Sequence, residues 1–420
     1  MNNDNRFGRV SMRVLTLACA LAFGAAVLPQ SITVAVAQEK EKAAKGPSVG
    51  NKVGKPLKAA QEAMAAKNWK EAKLKIDEAN AVDGKTPYET FAVTDMLAFV
   101  QVNLADYAGA AKSYESTINS EFVTADQKPG RAKSIAQLFY QTKNYAKVTT
   151  YGPMYLKDNP SDSDMQMMVG QAYYLQNDFP NSAKYLKAAI DTAEKAGKTP
   201  KEDWLQLLMS SEYEQNNVPG LTNALQKIVA IYPKPQYWEQ LIQMNEKEIN
   251  DSGKFDLEIY RIRMAVGAKM EPDEYREIAE LAIQAGLPGE AQKAMELAAA
   301  SGAKTERDTR LTTMAKTQAD SDKKTLAQSE ASAANAATGE PLVKTGEAYL
   351  TYGNPTKAIE LIQAGLKKGP KDADRAKLRL GVAQLEAKQS SEARRTFNSI
   401  PAASPYGKLA KMWALVAASR

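Results

Sequence analysis

The 420-residue chain contains no histidine and one cysteine, Cys19. Ser-His-Asp and Cys-His relays need an imidazole, and zinc sites draw on histidine and cysteine, so those chemistries cannot be built from this composition. Nucleotide-binding glycine patterns are missing too: no Walker-type glycine-lysine loop occurs, and no G-x-G-x-x-G follows a strand. Acidic runs at 158–164 and 372–374 lack the spacing and closing glutamate of a calcium-binding EF-hand loop, and read as caps of the helices that follow them. Neither an enzyme, nor a cofactor, nor a metal is expected.

What is present is the vocabulary of helices. Alanine, lysine, glutamate, leucine and glutamine recur in every segment after the first fifty residues, with 44% hydrophobic and 25% charged residues overall. Residues 1–37 read as a secretory signal. Arg6, Arg9 and Arg13 precede an uncharged apolar run over 14–28, and Ala35-Val36-Ala37 offers a small-x-small cleavage site before Gln38. Two alternatives use the same residues: lipid attachment at Cys19, where Thr16 stands in place of the leucine usual three residues before the cysteine, and an uncleaved anchor over 14–37, interrupted by Pro29, Gln30 and Ser31. Cleavage would remove Cys19 and leave packing alone to stabilise the mature chain.

Residues 38–55 read as a basic flexible linker. Lys40, Lys42, Lys45, Lys52, Lys55 and Lys58 against Glu39 and Glu41 give the tail 40–58 a charge suited to peripheral contact with anionic lipid or an acidic partner. The three arginines and Asp4 account for the rest of the net +6, so the body beyond Lys58 is neutral, which argues against nucleic acid as a partner.

The strongest internal pattern spans 165–190. Gly170 and Tyr173 share a face of one helix, Asn177-Asp178-Phe179 makes a turn, and Ser182, Leu186 and Ala189 share a face of the next. The pattern returns at Gly346, Tyr349, Gly353, Ala358, Ile362 and Pro370. It returns again at Ala60, Ala63, Asn68-Trp69, Ala72, Ile76 and Ala79, at Asp106-Tyr107, Ala110 and Tyr114, and at Asn144-Tyr145, Val148, Tyr155 and Pro160. Ala72, Ala110, Val148 and Ser182 are 38, 38 and 34 residues apart. On these residues the chain resembles the tetratricopeptide repeat family, of the exported bacterial envelope type, whose period is about 34 residues. Trp204, Leu207, Leu221, Leu225 and Ile228, then Ala279, Ala282, Ala291 and Met295, then Gly381, Ala393 and Phe397 carry it onward. Seven repeats are expected, with a less regular pair from Tyr237 to Ala265 as an eighth.

The resemblance implies an all-α, right-handed α-solenoid of antiparallel helix pairs. Its expected divisions are an N-terminal array over 56–250, continuing helical repeats over 251–304, a C-terminal repeat pair over 341–400 and a capping helix over 401–420. Residues 305–340, rich in Ala, Ser, Thr, Lys and Asp, predict helices that bury little and pack loosely. Trp69, Tyr107, Tyr145 and Phe179 are expected to plug the elbows between paired helices.

In this family the concave groove is lined mainly by the first helix of each repeat and holds peptides or protein segments. Carried over, that implies a groove of Gln137, Tyr140 and Gln141, then Met167, Gln171 and Tyr174, then Leu205, Met209 and Glu212. Tyrosine, methionine and glutamine make an adaptable, weakly charged surface. The expected function is a non-enzymatic periplasmic or cell-envelope scaffold that binds protein partners, in TonB-linked transport, export or outer-membrane assembly. A periplasmic holdase chaperone and a glycan- or cell-wall-acting enzyme built on a helical solenoid are the alternatives.

Overall fold

The computed structural model describes residues 47–249, 253–302 and 305–420, and every regular element among them is an α-helix. The signal, its anchor alternative, Cys19 and residues 38–46 of the tail lie outside the described residues. The chain forms two compact units that meet in sequence at Pro160 and Ser161. The first contains α1 (Asn51–Ala65), α2 (Trp69–Asn80), α3 (Pro87–Asn103), α4 (Tyr107–Thr117), α5 (Gln127–Gln141) and α6 (Tyr145–Asp158). The second begins with α7 (Ser163–Tyr174), α8 (Phe179–Lys195), α9 (Glu202–Glu214), α10 (Val218–Ile231), α11 (Pro235–Ile249), α12 (Asp256–Ala265) and α13 (Pro272–Gln284). It continues with α14 (Pro288–Ala300), α15 (Glu306–Ala334), α16 (Glu340–Thr351), α17 (Pro355–Lys368), α18 (Ala373–Glu386), α19 (Ser390–Asn398) and α20 (Gly407–Ala418).

Eight pairs share one turn: α1/α2, α3/α4, α5/α6, α7/α8, α9/α10, α13/α14, α16/α17 and α18/α19. In each, one residue takes a left-handed conformation: Lys67, Ala105, Lys143, Asn177, Asn216, Gly286, Gly353 and Lys388, in chain order. The N–H of the next residue reaches back five positions, as from Asn144 to the Phe139 carbonyl at 2.8 Å and from Asp178 to the Tyr173 carbonyl at 3.0 Å. This closes the first helix in the Schellman manner. The same next residue then opens the second helix. The side chains of Asn68, Asp106, Asn144, Asp178, Asn217 and Asn354 each accept a hydrogen bond from the backbone N–H three residues on. An Asn or Asp before an aromatic or proline is therefore a stop and a start in one residue.

Counting from the left-handed residue fixes the packing register. Seven positions before it stands a small residue in seven of the eight pairs: Ala60, Ala98, Ala136, Gly170, Ala279, Gly346 and Gly381, with Met209 the exception. A large side chain stands nine positions after it in every pair but α5/α6, where Gly152 does, and opposite Gly170, Gly346 and Gly381 it fills the space so left. A Cβ on Gly170 would lie 2.9 Å from Leu186 Cγ, and on Gly381 2.4 Å from Phe397 Cε1. Four positions before and eight after, the helices meet through a second pair. Phe139 stacks on Tyr151 at 6.3 Å and Tyr173 on Tyr185 at 5.6 Å. Elsewhere a hydrogen bond takes that place: Ser113 Oγ donates to Gln101 Oε1 at 2.8 Å and Thr396 Oγ1 to Gln384 Oε1 at 2.7 Å.

Trp69, Tyr107, Tyr145 and Phe179 are the first residues of their second helices and are half-buried. They staple the turn to the residue five positions back, as in the edge-to-face pairs Tyr140–Tyr145 and Tyr174–Phe179.

Two expectations are corrected. The linker assigned to 38–55 ends early, because Val49 and Val53 are buried and α1 starts at Asn51; Gly50 N–H, donating to Glu89 Oε1 at 2.9 Å, ties that start to α3. The segment 305–340 contains one helix of 29 residues, not several. Leu311, Ala315, Ala319, Leu326 and Ala333 form a single narrow buried stripe along it, while most other positions are exposed. Its composition lacks a breaker, so the helix runs on past the lengths of its neighbours, packing against α13, α14 and α16.

The second unit also turns back on itself. α20 packs on α19 as the next first helix would, and in addition against α10, α12 and α18. Leu378, Val382 and Phe397 consequently share one core with Trp238, Ile259 and Ile262.

Candidate protein-binding surface

The register shows which first-helix positions face outward. In α5 of the first unit, the sixth, third and second residues before Lys143 are Gln137, Tyr140 and Gln141; the first two are half-buried and Gln141 is exposed. The same unit carries Tyr88, Phe91 and Phe122 in mutual ring contact, with the Arg131 guanidinium 5.6 Å from the Phe91 centroid and ion-paired to buried Asp95. Lys133 Nζ lies 4.9 Å from the Tyr155 ring.

In the second unit, Gln171 and Tyr174 of α7 are half-buried, as Gln137 and Tyr140 are in α5. Met167 is only 5% exposed and belongs to the core. Leu205, Met209 and Glu212 of α9 are corrected likewise, being 0–2% exposed. The outward residues of α9 are Gln206 and Tyr213, one position on from Leu205 and Glu212, because a one-residue slip rotates a helix face by about 100°. Methionine at position 209 explains the slip: the small residue that marks the packing face in the other seven pairs is absent there. Tyr213 is 55% exposed. Sequence reasoning missed it, although counting back three from Asn216 finds it.

Glu212 has a structural role. Its buried carboxylate accepts a hydrogen bond from Asn217 Nδ2 at 2.6 Å and pairs closely with Lys187, so it locks the cap that opens α10. Gln215 Nε2 donates to the Phe179 carbonyl at 3.0 Å, which joins the turn of α9/α10 to that of α7/α8.

In α18 the corresponding outward positions are closed, and in α16 one of the two, Glu347, is closed while the other, Leu350, is half-buried. Glu347, Leu378, Val382 and Leu385 are all buried, in contrast to Gln171 and Tyr174. Between α12, α14, α16 and α18 lies a buried ionic cluster. Arg261 holds Glu290 through two hydrogen bonds at 2.5 and 2.7 Å and Glu258 through a third at 2.5 Å. Arg375 donates to Glu347 Oε2 at 2.7 Å. Burial opposes the charge of Arg261, but Glu290 and Glu258 outweigh it and its pKa is raised. Burial likewise acts against the Glu290 carboxylate, and the charge of Arg261 overcomes it, so that pKa is lowered. Arg379 goes the other way: burial, then the like charge of Arg261, lower its pKa.

Nothing among the described residues groups carboxylates for a metal ion. The acidic runs cap helices, Asp162 accepting from Met165 N–H and Asp372 from Arg375 N–H. No described helix is long and apolar enough to cross a membrane.

The geometry defines a protein of antiparallel helical hairpins repeated along the chain. Tetratricopeptide-repeat family models match residues 155–197 and 349–418, so the chain carries tetratricopeptide repeats there, and the shared turn recurs in the other hairpins. No curated protein matches it. Among solved structures it is similar to a tetratricopeptide repeat protein from Parabacteroides merdae, at 13% identity and a TM-score of 0.31, over 63% of this chain and 99% of that one. It is also similar to MamA from residue 41 onward of Desulfovibrio magneticus, at 12% identity and a TM-score of 0.30, over 47% and 97%. A third is the TPR2AB domain of yeast Sti1 in complex with an HSP90 peptide, at 12% identity and a TM-score of 0.24, over 70% and 99%. At such scores these likenesses carry no argument about ligands. Tetratricopeptide repeats make the chain a protein-interaction scaffold, a class that is generally non-catalytic.

Proposed function

We propose that this chain is an exported, non-enzymatic scaffold of the cell envelope, which holds protein segments on the outward faces of its first helices and so organises a transport, export or outer-membrane assembly. One observation carries the binding part of this reading: Gln137 and Tyr140 in the first unit, and Gln171 and Tyr174 in the second, fall on the same two register positions and stay half-open, while Ala136, Leu138, Phe139, Gly170 and Ala172 beside them are closed core. Tyr213 adds an exposed aromatic at the same position in α9. Tyrosine gives contact area with a polar tip at low entropic cost, and glutamine hydrogen-bonds an extended backbone. The export part rests on the arginines and apolar run of residues 1–37.

Crosslinking in the native envelope, followed by identification of the captured protein, tests the proposal. The variant Tyr140→Ala/Tyr174→Ala/Tyr213→Ala should lose most capture and keep its helicity. Unchanged capture would put binding elsewhere. Fractionation of the processed chain to the cytoplasm would remove the envelope role.

A further inference from the structure

We infer that α20 is a ligand held in cis, and that the surface it covers on α10, α12, α18 and α19 is a receptor for an amphipathic helix that a partner's helix can enter when α20 leaves. The inference does not rest on the Tyr and Gln faces of α5, α7 and α9.

It starts from the chemistry of α18. At the register positions where α5 and α7 show glutamine and tyrosine, α18 has Val382 and Leu385, both buried. Such a face is unsuited to water and suited to an apolar stripe. α20 supplies one: Leu409, Met412, Trp413 and Val416 follow the spacing of a helical face and are 0–4% exposed. Trp413 stacks on Phe397 at 6.0 Å, and Phe255 of the α12 side meets Tyr406 edge to face at 5.4 Å. Lys408 and Lys411 lie on the exposed side. This is the geometry of an amphipathic helix laid in an apolar groove.

The fit in cis is incomplete. The indole Nε1 of Trp413 is buried without a hydrogen-bond partner, and a desolvated N–H left unpaired favours any occupant that pairs it or lacks it. Polar attachment is seen at both ends of the helix: Tyr406 donates to Asp372 Oδ2 at 3.0 Å, and Arg420 to the Ala265 carbonyl at 2.6 Å. The connection from α19, with Pro401 and Pro405, forms no helix of its own. α20 therefore has the character of an exchangeable insert, and the partner it predicts is a helix with large apolar residues at i, i+3, i+4 and i+7.

The test uses the full chain and a labelled synthetic peptide of residues 405–420. In Leu409→Lys/Met412→Lys, which ejects α20, the peptide should bind saturably at one site, and amides of α12 and α18 should regain protection from hydrogen exchange on its addition. The wild-type chain should bind it at least about tenfold more weakly, since its own helix occupies the site. Adding Val382→Lys to the ejected variant should abolish binding. A peptide with the four stripe residues changed to alanine should not bind either. An independent measurement needs no variant: in the wild-type chain the α20 amides should exchange faster than those of α18 and α19. Equal exchange of all three helices would overturn the inference, and so would an ejected variant that keeps the helicity of its remaining hairpins and ignores the peptide.

Discussion

Arg379 Nη1 lies 3.5 Å from Glu258 Oε1, a contact between α18 and α12 across 121 positions of sequence. The interaction is long for a hydrogen bond, and Arg379 Nε, Glu258 Oε2 and Glu347 Oε1 have no hydrogen-bond partner. Buried ions so placed gain little net stability, yet each depends on the others for neutralisation. Glu258→Ala should therefore cost about 3 kcal/mol in denaturant unfolding of the second unit, because it leaves buried Arg379 with only the 3.7 Å ion pair to Glu347 and takes one of two carboxylates from Arg261. High salt should recover little of the loss, since burial shields the cluster from screening.

A glycine of the register and one outside it behave in opposite ways. Gly381→Ala would drive a methyl group into the Phe397 ring and should destabilise the chain by about 1–3 kcal/mol. Gly130→Ala, in α5, meets nothing within 4 Å and should stabilise by about 0.5–1 kcal/mol through helix propensity. Thermal unfolding of both variants separates the close approach from the general cost of glycine.

The turn offers a third comparison. Lys143 has a φ of 59°, where a β-branched side chain is strained, so Lys143→Val should cost about 1–2 kcal/mol and Lys143→Gly should be close to neutral. Asn144→Ala, one residue on, removes the cap of α6 and should cost about 1 kcal/mol. Denaturant midpoints measured at equal slope would show it.

Stability should be flat near neutrality, where no histidine titrates, and fall in acid. Backbone N–H donors from Thr86 and Gly50 hold Glu89 below the usual carboxylate range despite burial, and Lys234 and Tyr237 do the same for Glu202. Carboxylates with lowered folded pKa stabilise above their unfolded value of 4.5, and that stabilisation is lost as pH falls through the lower folded values. In base the sign reverses for tyrosine. Burial, then the charge of Asp95, pushes Tyr114 up to about 12, and burial, then its hydrogen bond to Asp372, pushes Tyr406 up to about 12. Their contribution is complete below 10 and disappears as pH rises toward 12. Circular-dichroism melts in acid and a phenolate absorbance titration in base check the two limbs.

Much of the hairpin architecture was legible because its signals are local. Asn144-Tyr145 and Asp178-Phe179 encode a helix stop, a cap and a staple within two residues, and Gly346 or Gly381 marks the packing face within the same helix. Where one local mark is replaced, as by Met209, the face is misread by one residue, and Leu205, Met209 and Glu212 become a surface on paper and a core in space. The closing of α20 onto α10 and α12 leaves no periodic trace. Leu409 and Trp413 are apolar whether they cover the last repeat alone or a distant helix as well, and only long-range packing distinguishes these.

Arrays of repeats ordinarily unzip from their termini, since a terminal unit has one neighbour and an internal unit two. With α20 lodged against α10 and α12, the α18/α19 hairpin gains the second neighbour that its place in the array would deny it. While α20 is seated, α18/α19 therefore has no free end from which to fray, and loss of the C-terminal hairpins should begin only once α20 leaves. Release α20, and the same hairpins become a row that loses members one at a time. The twelve residues of that helix thus set the cooperativity of everything from α10 onward.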